Sequence, residues 1–277
     1  MLFLYLCVNL TAMENKKIAI IGCGNLGLSI LNGLLAEETI DPANIIATRR
    51  NVESLGAFED RGVTVTTDNT KAIASSQIII IALKPYLILD LLNQLRDQFN
   101  PKEHIIVSLA TGISISQIKA IVGSDTQIFR AMPNTAADVG ESMTCICSNS
   151  KDLKAIQTIK NCFSTIGETI MIEESLMDSA TVLGACGVAY VLRFIRGMIQ
   201  GGIQIGFDAK TANEIVTQTV KGAAQLLIQN EQHPEFEIDK VTTPKGCTIA
   251  GLNEMEHNGF SSALIKGIVT SYDKIEK

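Results

Sequence analysis

The chain has no tryptophan, and aromatic residues make up only 5% of its 277 positions, so it offers few planar side chains on which nucleotide bases could stack. It also lacks a basic excess. With a net charge of −6, no positive field attracts a phosphate backbone, and nucleic-acid binding is excluded as a leading function. Seven cysteines are present without a Cys-x-x-Cys pair, and the three histidines lie far apart in sequence, so neither metal-ligand spacing nor a disulfide framework is visible. No metal is expected. These cysteines fit a reducing, cytoplasmic compartment, with Cys145 and Cys147 on one face of a strand as small buried hydrophobes.

Long uninterrupted apolar runs are scarce as well. The first dozen residues, Met1 to Ala12, are apolar, but they lack a basic start and are too short to cross a bilayer. Met13 stands directly before the first strand pattern, so residues 1–12 are expected to be a non-native extension, which the intact mass of protein from the native gene would refute by including them. A second apolar stretch carries Gly197, Gly201, Gly202 and Gly206, but Arg193, Arg196 and Gln200 interrupt it. It reads as a helix thinned for close packing, without a membrane span.

What is present suffices for a large core: 46% of residues are hydrophobic and 19% charged. Short apolar runs at 18–21, 44–47, 63–66, 78–83, 105–110, 127–130, 143–147 and 169–172 alternate with amphipathic stretches. Four consecutive isoleucines, Ile78 to Ile81, are apolar on both faces, as a central parallel strand covered on both sides requires. The pattern predicts an α/β, Rossmann-type doubly wound sheet over residues 13–172 and an all-helical domain over 173–277. Helices are predicted over 178–206, 209–230 and 261–274, with Val216, Val220, Ala223, Ala224 and Leu227 forming one apolar stripe.

Gly22-Cys23-Gly24-Asn25-Leu26-Gly27 follows the first strand, ending at Ile21, and opens a helix pattern, the context of a dinucleotide fingerprint. Gly22 makes the tight turn, Gly24 leaves room for a pyrophosphate at the helix N-terminus, and Gly27 lets helix and sheet approach. The second strand ends in Thr48-Arg49-Arg50, without the carboxylate that binds a free ribose 2′-hydroxyl. A hydroxyl and two guanidiniums suit a 2′-phosphate, so NADPH is expected, with NADH the weaker alternative. Ala82-Leu83-Lys84-Pro85 and Ala110-Thr111-Gly112 stand at the C-terminal ends of strands, where they would flank the nicotinamide and its ribose. For Lys84, a surface lysine ahead of a helix started by Pro85 is an equal reading.

A late loop, Thr242-Thr-Pro-Lys-Gly-Cys-Thr248, leads into a helix expected near Thr248. Free N–H groups there suit a carboxylate, and the Thr248 hydroxyl serves either the helix as an ordinary N-cap, the commoner use, or a ligand.

This loop, Arg130-Ala-Met-Pro-Asn-Thr135, Ala82-Leu-Lys-Pro85 and the fingerprint occur in the order that resembles the pyrroline-5-carboxylate reductase family. The resemblance runs from about Lys17 to the C-terminus and is most specific from Val241 through Thr248 to Met255. It implies NADPH-dependent reduction of L-Δ1-pyrroline-5-carboxylate to L-proline, the last step of proline biosynthesis. Thr248 would be the catalytic residue, its hydroxyl on the ring nitrogen. N–H groups around Gly246, Cys247 and Thr248 would hold the carboxylate, Val241 would line the ring, Asn69 would lie near the adenosine and Glu174 near the substrate. It further implies a homodimer through the C-terminal helices, in some members assembled into a decamer.

The chain departs from the family where Gly184-Ala-Cys-Gly-Val-Ala-Tyr190 lacks two hydroxyls and a proline, and at Lys240 and Lys245. Two other readings compete. A β-hydroxyacid dehydrogenase needs a catalytic lysine in its helical domain, for which Lys210 and Lys221 are available; a non-catalytic NADPH-binding regulator would show no turnover of the imine.

Overall fold

Because almost every strand residue of β1 (Ile18–Ile21), β2 (Ile45–Thr48), β4 (Ile78–Ile81) and β5 (Ile105–Ser108) is apolar, these strands are stable only at the centre of a sheet covered on both faces. A computed structural model describes residues 16–36 and 40–275 and places them there. Adding β3 (Thr64–Thr66), β6 (Gln127–Met132), β7 (Ser142–Ser148) and β8 (Gly167–Met171) gives one sheet in the order β3-β2-β1-β4-β5-β6-β7-β8. Ile18, Ile20, Ile78 and Ile80 enter one core layer, and their neighbours Ala19, Ile21, Ile79 and Ile81 enter the other. The chain reverses its direction of winding between β1 and β4, which opens a crevice beyond their C-terminal ends.

Each predicted strand is present, β1 with the predicted ends and the others with shifted ones. β4 stops at Ile81 and β5 at Ser108, short of the predicted Leu83 and Ala110, because the chain turns there toward the helices Pro85–Gln94 and Ile115–Val122. β6 runs on to Met132, past the predicted Arg130, because β7 pairs with it antiparallel, Met132 opposite Cys145. A parallel crossover needs a dozen or more residues, whereas only a short turn, Thr135–Val139 closed by Gly140 at φ 72°, joins these strands.

The expected residues 1–12 extension lies outside the described residues. The predicted division after Ile172 precedes the structural one: the first compact unit continues to Cys186, and the second spans Gly187–Lys274. Met177, Thr181 and Val182 are buried, and the Asn134 side-chain amide donates to the Gly184 carbonyl at 3.2 Å, which binds this stretch to the sheet unit. The helical run predicted from 178 is interrupted by a π-helical turn, Thr181–Cys186, which runs into the segment that departs from the family pattern.

The second unit contains helices Gly187–Gln204, Ala209–Asn230, Pro234–Val241, Cys247–His257 and Phe260–Asp273. Its core is small, built on Ile199, Ala212 and Val216. Of the predicted stripe, Val216 is buried and Val220 packs beside it, but Ala223 and Ala224 are exposed. Gly202 alone of the four helix glycines meets a neighbour, with Ala212 Cβ 3.2 Å from where a side chain would begin. Leu192, Phe194, Ile203, Leu226, Leu264 and Val269 remain exposed, an apolar surface that a single copy of the unit leaves open to water. Among the described residues, one helical run, Glu174–Gln204, is long and apolar enough to cross a membrane by length and composition.

Candidate functional site

In the sheet unit, the candidate cofactor site is the crevice at the β1/β4 switch point, a cleft of about 520 Å³. It brings together Ile21, Gly22, Thr48, Arg49, Arg50, Asn69 and Leu83 from the residues singled out in the sequence. Thr67, Asp90 and Gln94 line it too and were missed, although Leu87, Asp90, Leu91 and Gln94 recur at three- and four-residue steps on one face of Pro85–Gln94.

Each fingerprint glycine has a distinct geometry. Gly22 sits at φ 92°, and a Cβ on it would collide with the Leu83 side chain. A Cβ on Gly27 would lie 2.8 Å from the Gly22 carbonyl, so the helix Asn25–Ala36 starts hard against the turn. Nothing lies within 4 Å of a Cβ on Gly24, which faces open space. Leu28 N–H makes the first backbone bond of this helix, to the Gly24 carbonyl at 2.8 Å. The preceding donors of Asn25, Leu26 and Gly27 are therefore the first-turn groups that an anion can use.

Thr48 lines the cleft and has a structural task as well. It is buried; its carbonyl accepts the N–H groups of Gly22 and Cys23 at 3.1 and 2.8 Å, and its hydroxyl accepts Gly22 N–H at 3.3 Å. It holds the fingerprint turn, which leaves the neighbouring arginines to meet a phosphate. Arg49 is half-buried and Arg50 exposed, and among the described residues neither forms an ion pair with a carboxylate. Cys23 is buried beneath the turn, and burial pushes its thiol up to about 12, so it stays protonated and packs as a hydrophobe. Burial likewise raises Cys145, and Cys147 up to about 11.

Lys84 is the exposed residue immediately before Pro85, which occupies the first helical position. Ala110 is buried, whereas Gly112 is exposed at φ 75°, a conformation that suits glycine. Open space at Gly24, first-turn donors and two arginines without carboxylate partners fit the diphosphate and 2′-phosphate of NADPH.

A separate candidate site lies in the helical unit. Val241 ends the helix Pro234–Val241 and is exposed, and the loop then turns through Lys245 at φ 61° into Cys247–His257. Gly246 is the N-cap residue, without a side-chain cap, and Thr248 is the second residue of the helix. Thr248 is exposed, and its hydroxyl makes no hydrogen bond among the described residues. The N-cap alternative is thereby removed. Gly246 N–H donates to the Thr243 carbonyl at 2.9 Å, so the free first-turn donors begin at Cys247.

Glu174 lies in the sheet unit, where its Oε1 accepts from the Ile115 N–H at 2.7 Å and from Arg130 Nη1 at 3.1 Å. Lys210 is exposed and lies 4.0 Å from Glu214, one turn along its own helix, and Lys221 is exposed as well.

Two family models match. Residues 17–112 match the NADP oxidoreductase, coenzyme F420-dependent family, and residues 174–277 match pyrroline-5-carboxylate reductase dimerisation. Pyrroline-5-carboxylate reductase 2 of Dictyostelium discoideum is 44% identical over 280 residues, covering 95% of this chain and 93% of the relative. Pyrroline-5-carboxylate reductase 1 of the same organism is 45% identical over 274 residues, and there the chain spans only 50% of the relative's length. Among solved structures, Plasmodium falciparum pyrroline carboxylate reductase with NADP bound superimposes with a TM-score of 0.84 at 26% identity, covering 95% of this chain and 97% of that one.

Proposed function

Because the chain belongs to the pyrroline-5-carboxylate reductase family, we propose that it reduces L-Δ1-pyrroline-5-carboxylate to L-proline with NADPH, the last step of proline biosynthesis. The observation that carries this reading is the Thr248 hydroxyl, exposed at the start of Cys247–His257 and unused by the helix that holds it.

NADPH, when bound, supplies the hydride that the C=N carbon of the imine accepts, the carbon that becomes C5 of proline. The first-turn N–H groups of Asn25–Gly27 hold the diphosphate, and Arg49 and Arg50 hold the 2′-phosphate. The substrate carboxylate takes the free N–H groups from Cys247 onward, where the helix dipole favours negative charge. Thr248 donates to or accepts from the ring nitrogen and orients it, and Val241 offers an apolar wall to the ring. A protonated imine is already a strong electrophile, so the protein's contribution is alignment in a site from which water is excluded. Purified protein should oxidise NADPH on addition of the imine; turnover of a 3-hydroxyacid with NADP in its place would instead support the dehydrogenase reading.

The apolar surface of the helical unit supports a homodimer, and residues 174–277 match a dimerisation family. A second copy covering Leu192, Phe194, Leu264 and Val269 explains why the apolar helix Gly187–Gln204 is so little buried within its own chain. Sedimentation at micromolar concentration should give a particle of two chains, or ten if dimers assemble further, and a monomer would contradict the reading. A cytoplasmic location accompanies it, supported by Cys23 and Cys147, which pack as buried thiols.

A further inference from the structure

A buried guanidinium tied to a helix start that adjoins the nicotinamide loop is the strongest feature outside the two binding parts. Arg130 on β6 is 4% exposed, yet only its Nη1 is bonded, to Glu174; its Nε and Nη2 are buried without a partner among the described residues. A charge so incompletely satisfied is costly, and a fold does not need one there: apolar side chains of similar volume fill such positions at least as well. The cost points to a role other than filling space.

The geometry supplies that role. Glu174 Oε1 joins Arg130 Nη1 at 3.1 Å to the N–H of Ile115 at 2.7 Å, the first residue of Ile115–Val122. A carboxylate at that end also meets the positive pole of the helix. The same helix start carries a capping box, in which Ser114 Oγ accepts Gln117 N–H at 3.2 Å and Gln117 Oε1 accepts Ser114 N–H at 2.8 Å. The segment between the end of β5 and this helix, Leu109–Ser114, contains Ala110 and Gly112. Its far end is thus fixed from β6 through a side chain that begins the turn Glu174–Leu176.

Building on the reductase reading, we propose that Arg130 and Glu174 form a positioning pair that sets the loop 110–114 against the nicotinamide without touching substrate. Glu174 then acts through Ile115, and Arg130 acts by holding Glu174. The pair changes how often the bound cofactor and the imine reach a productive alignment, a property that sub-ångström shifts alter strongly. It leaves the affinity for the imine carboxylate, held by the loop at Thr248, almost untouched.

The test compares wild type with Glu174→Gln, Arg130→Lys and the double variant R130M/E174M, in two measurements. Hydrogen exchange of the amides of residues 110–117, followed without cofactor, should quicken by about tenfold in Glu174→Gln and in the double variant, with Arg130→Lys between these and wild type. In turnover with NADPH and the imine, kcat should fall by about tenfold while KM for the imine stays within about twofold, as expected when an alignment effect is lost. The double variant carries no buried charge, so its thermal midpoint should stay near that of wild type. Wild-type exchange and kcat in a folded double variant would overturn the proposal and leave the pair as packing. A rise in KM for the imine at constant kcat would also overturn it, by making Glu174 a substrate contact. Failure of wild-type protein to turn over the imine would strike the reductase reading alone, since the exchange arm needs neither substrate nor cofactor.

Discussion

Replacing Thr248 by alanine is expected to lower kcat/KM for the imine by roughly tenfold to a thousandfold, about 1.4–4 kcal/mol. The direction follows from what the hydroxyl does not do in the fold. Gly246 occupies the N-cap position of Cys247–His257, and the Thr248 side chain is exposed without a hydrogen bond among the described residues. Removing the hydroxyl therefore leaves no buried donor unpaired and breaks no cap, and the thermal midpoint should shift by no more than about 1–2 °C, consistent with the small energies of surface changes. The loss must then appear in catalysis. Thr248→Ser keeps a hydroxyl and should retain most activity, whereas Thr248→Val keeps the shape and should behave like alanine. Steady-state kinetics of the three variants decide the matter: if alanine and valine match wild type, the hydroxyl has no part in the reaction.

The second large effect is expected in the cofactor cleft. Arg49→Ala combined with Arg50→Ala should lower kcat/KM with NADPH by about a hundredfold or more and leave kcat/KM with NADH within about threefold, since one charge-assisted hydrogen bond is worth about 1.5–3 kcal/mol. Both side chains line the cleft and, among the described residues, neither is held by a carboxylate, so both are available to a phosphate. Thr48 contributes differently: buried and bonded to the Gly22 turn, it should affect both cofactors equally when replaced by valine. An equal loss with NADH and NADPH in the double arginine variant would refute the 2′-phosphate assignment.

The sheet was legible in the sequence wherever burial on both faces forces an unbroken apolar run, as at Ile78–Ile81. The antiparallel pairing of β6 with β7 was not, because it depends on a five-residue turn whose apolar neighbours look the same in either direction. Glycine spacing disclosed the fingerprint, since Gly22 and Gly27 are required by backbone geometry that only their type satisfies. Thr48 was legible as a hydroxyl at the end of the second strand, but its bond to Gly22 was not, because it arises from the β1–β2 register, which pairs Ile21 with Thr48. Arg130 and Glu174 are separated by 44 positions, and no local pattern announces their pairing. The helical stripe was readable as apolar, yet Ala223 and Ala224 remain exposed, because periodicity marks a face to be covered without saying whether the same chain covers it.

The most direct measurement is reduction of racemic pyrroline-5-carboxylate by purified wild-type protein with NADPH carrying deuterium at C4 of the nicotinamide in the transferable position. The account predicts L-proline bearing one deuterium at C5, formed in step with NADPH oxidation and far faster than with NADH. No proline, or proline without deuterium at C5, would contradict it.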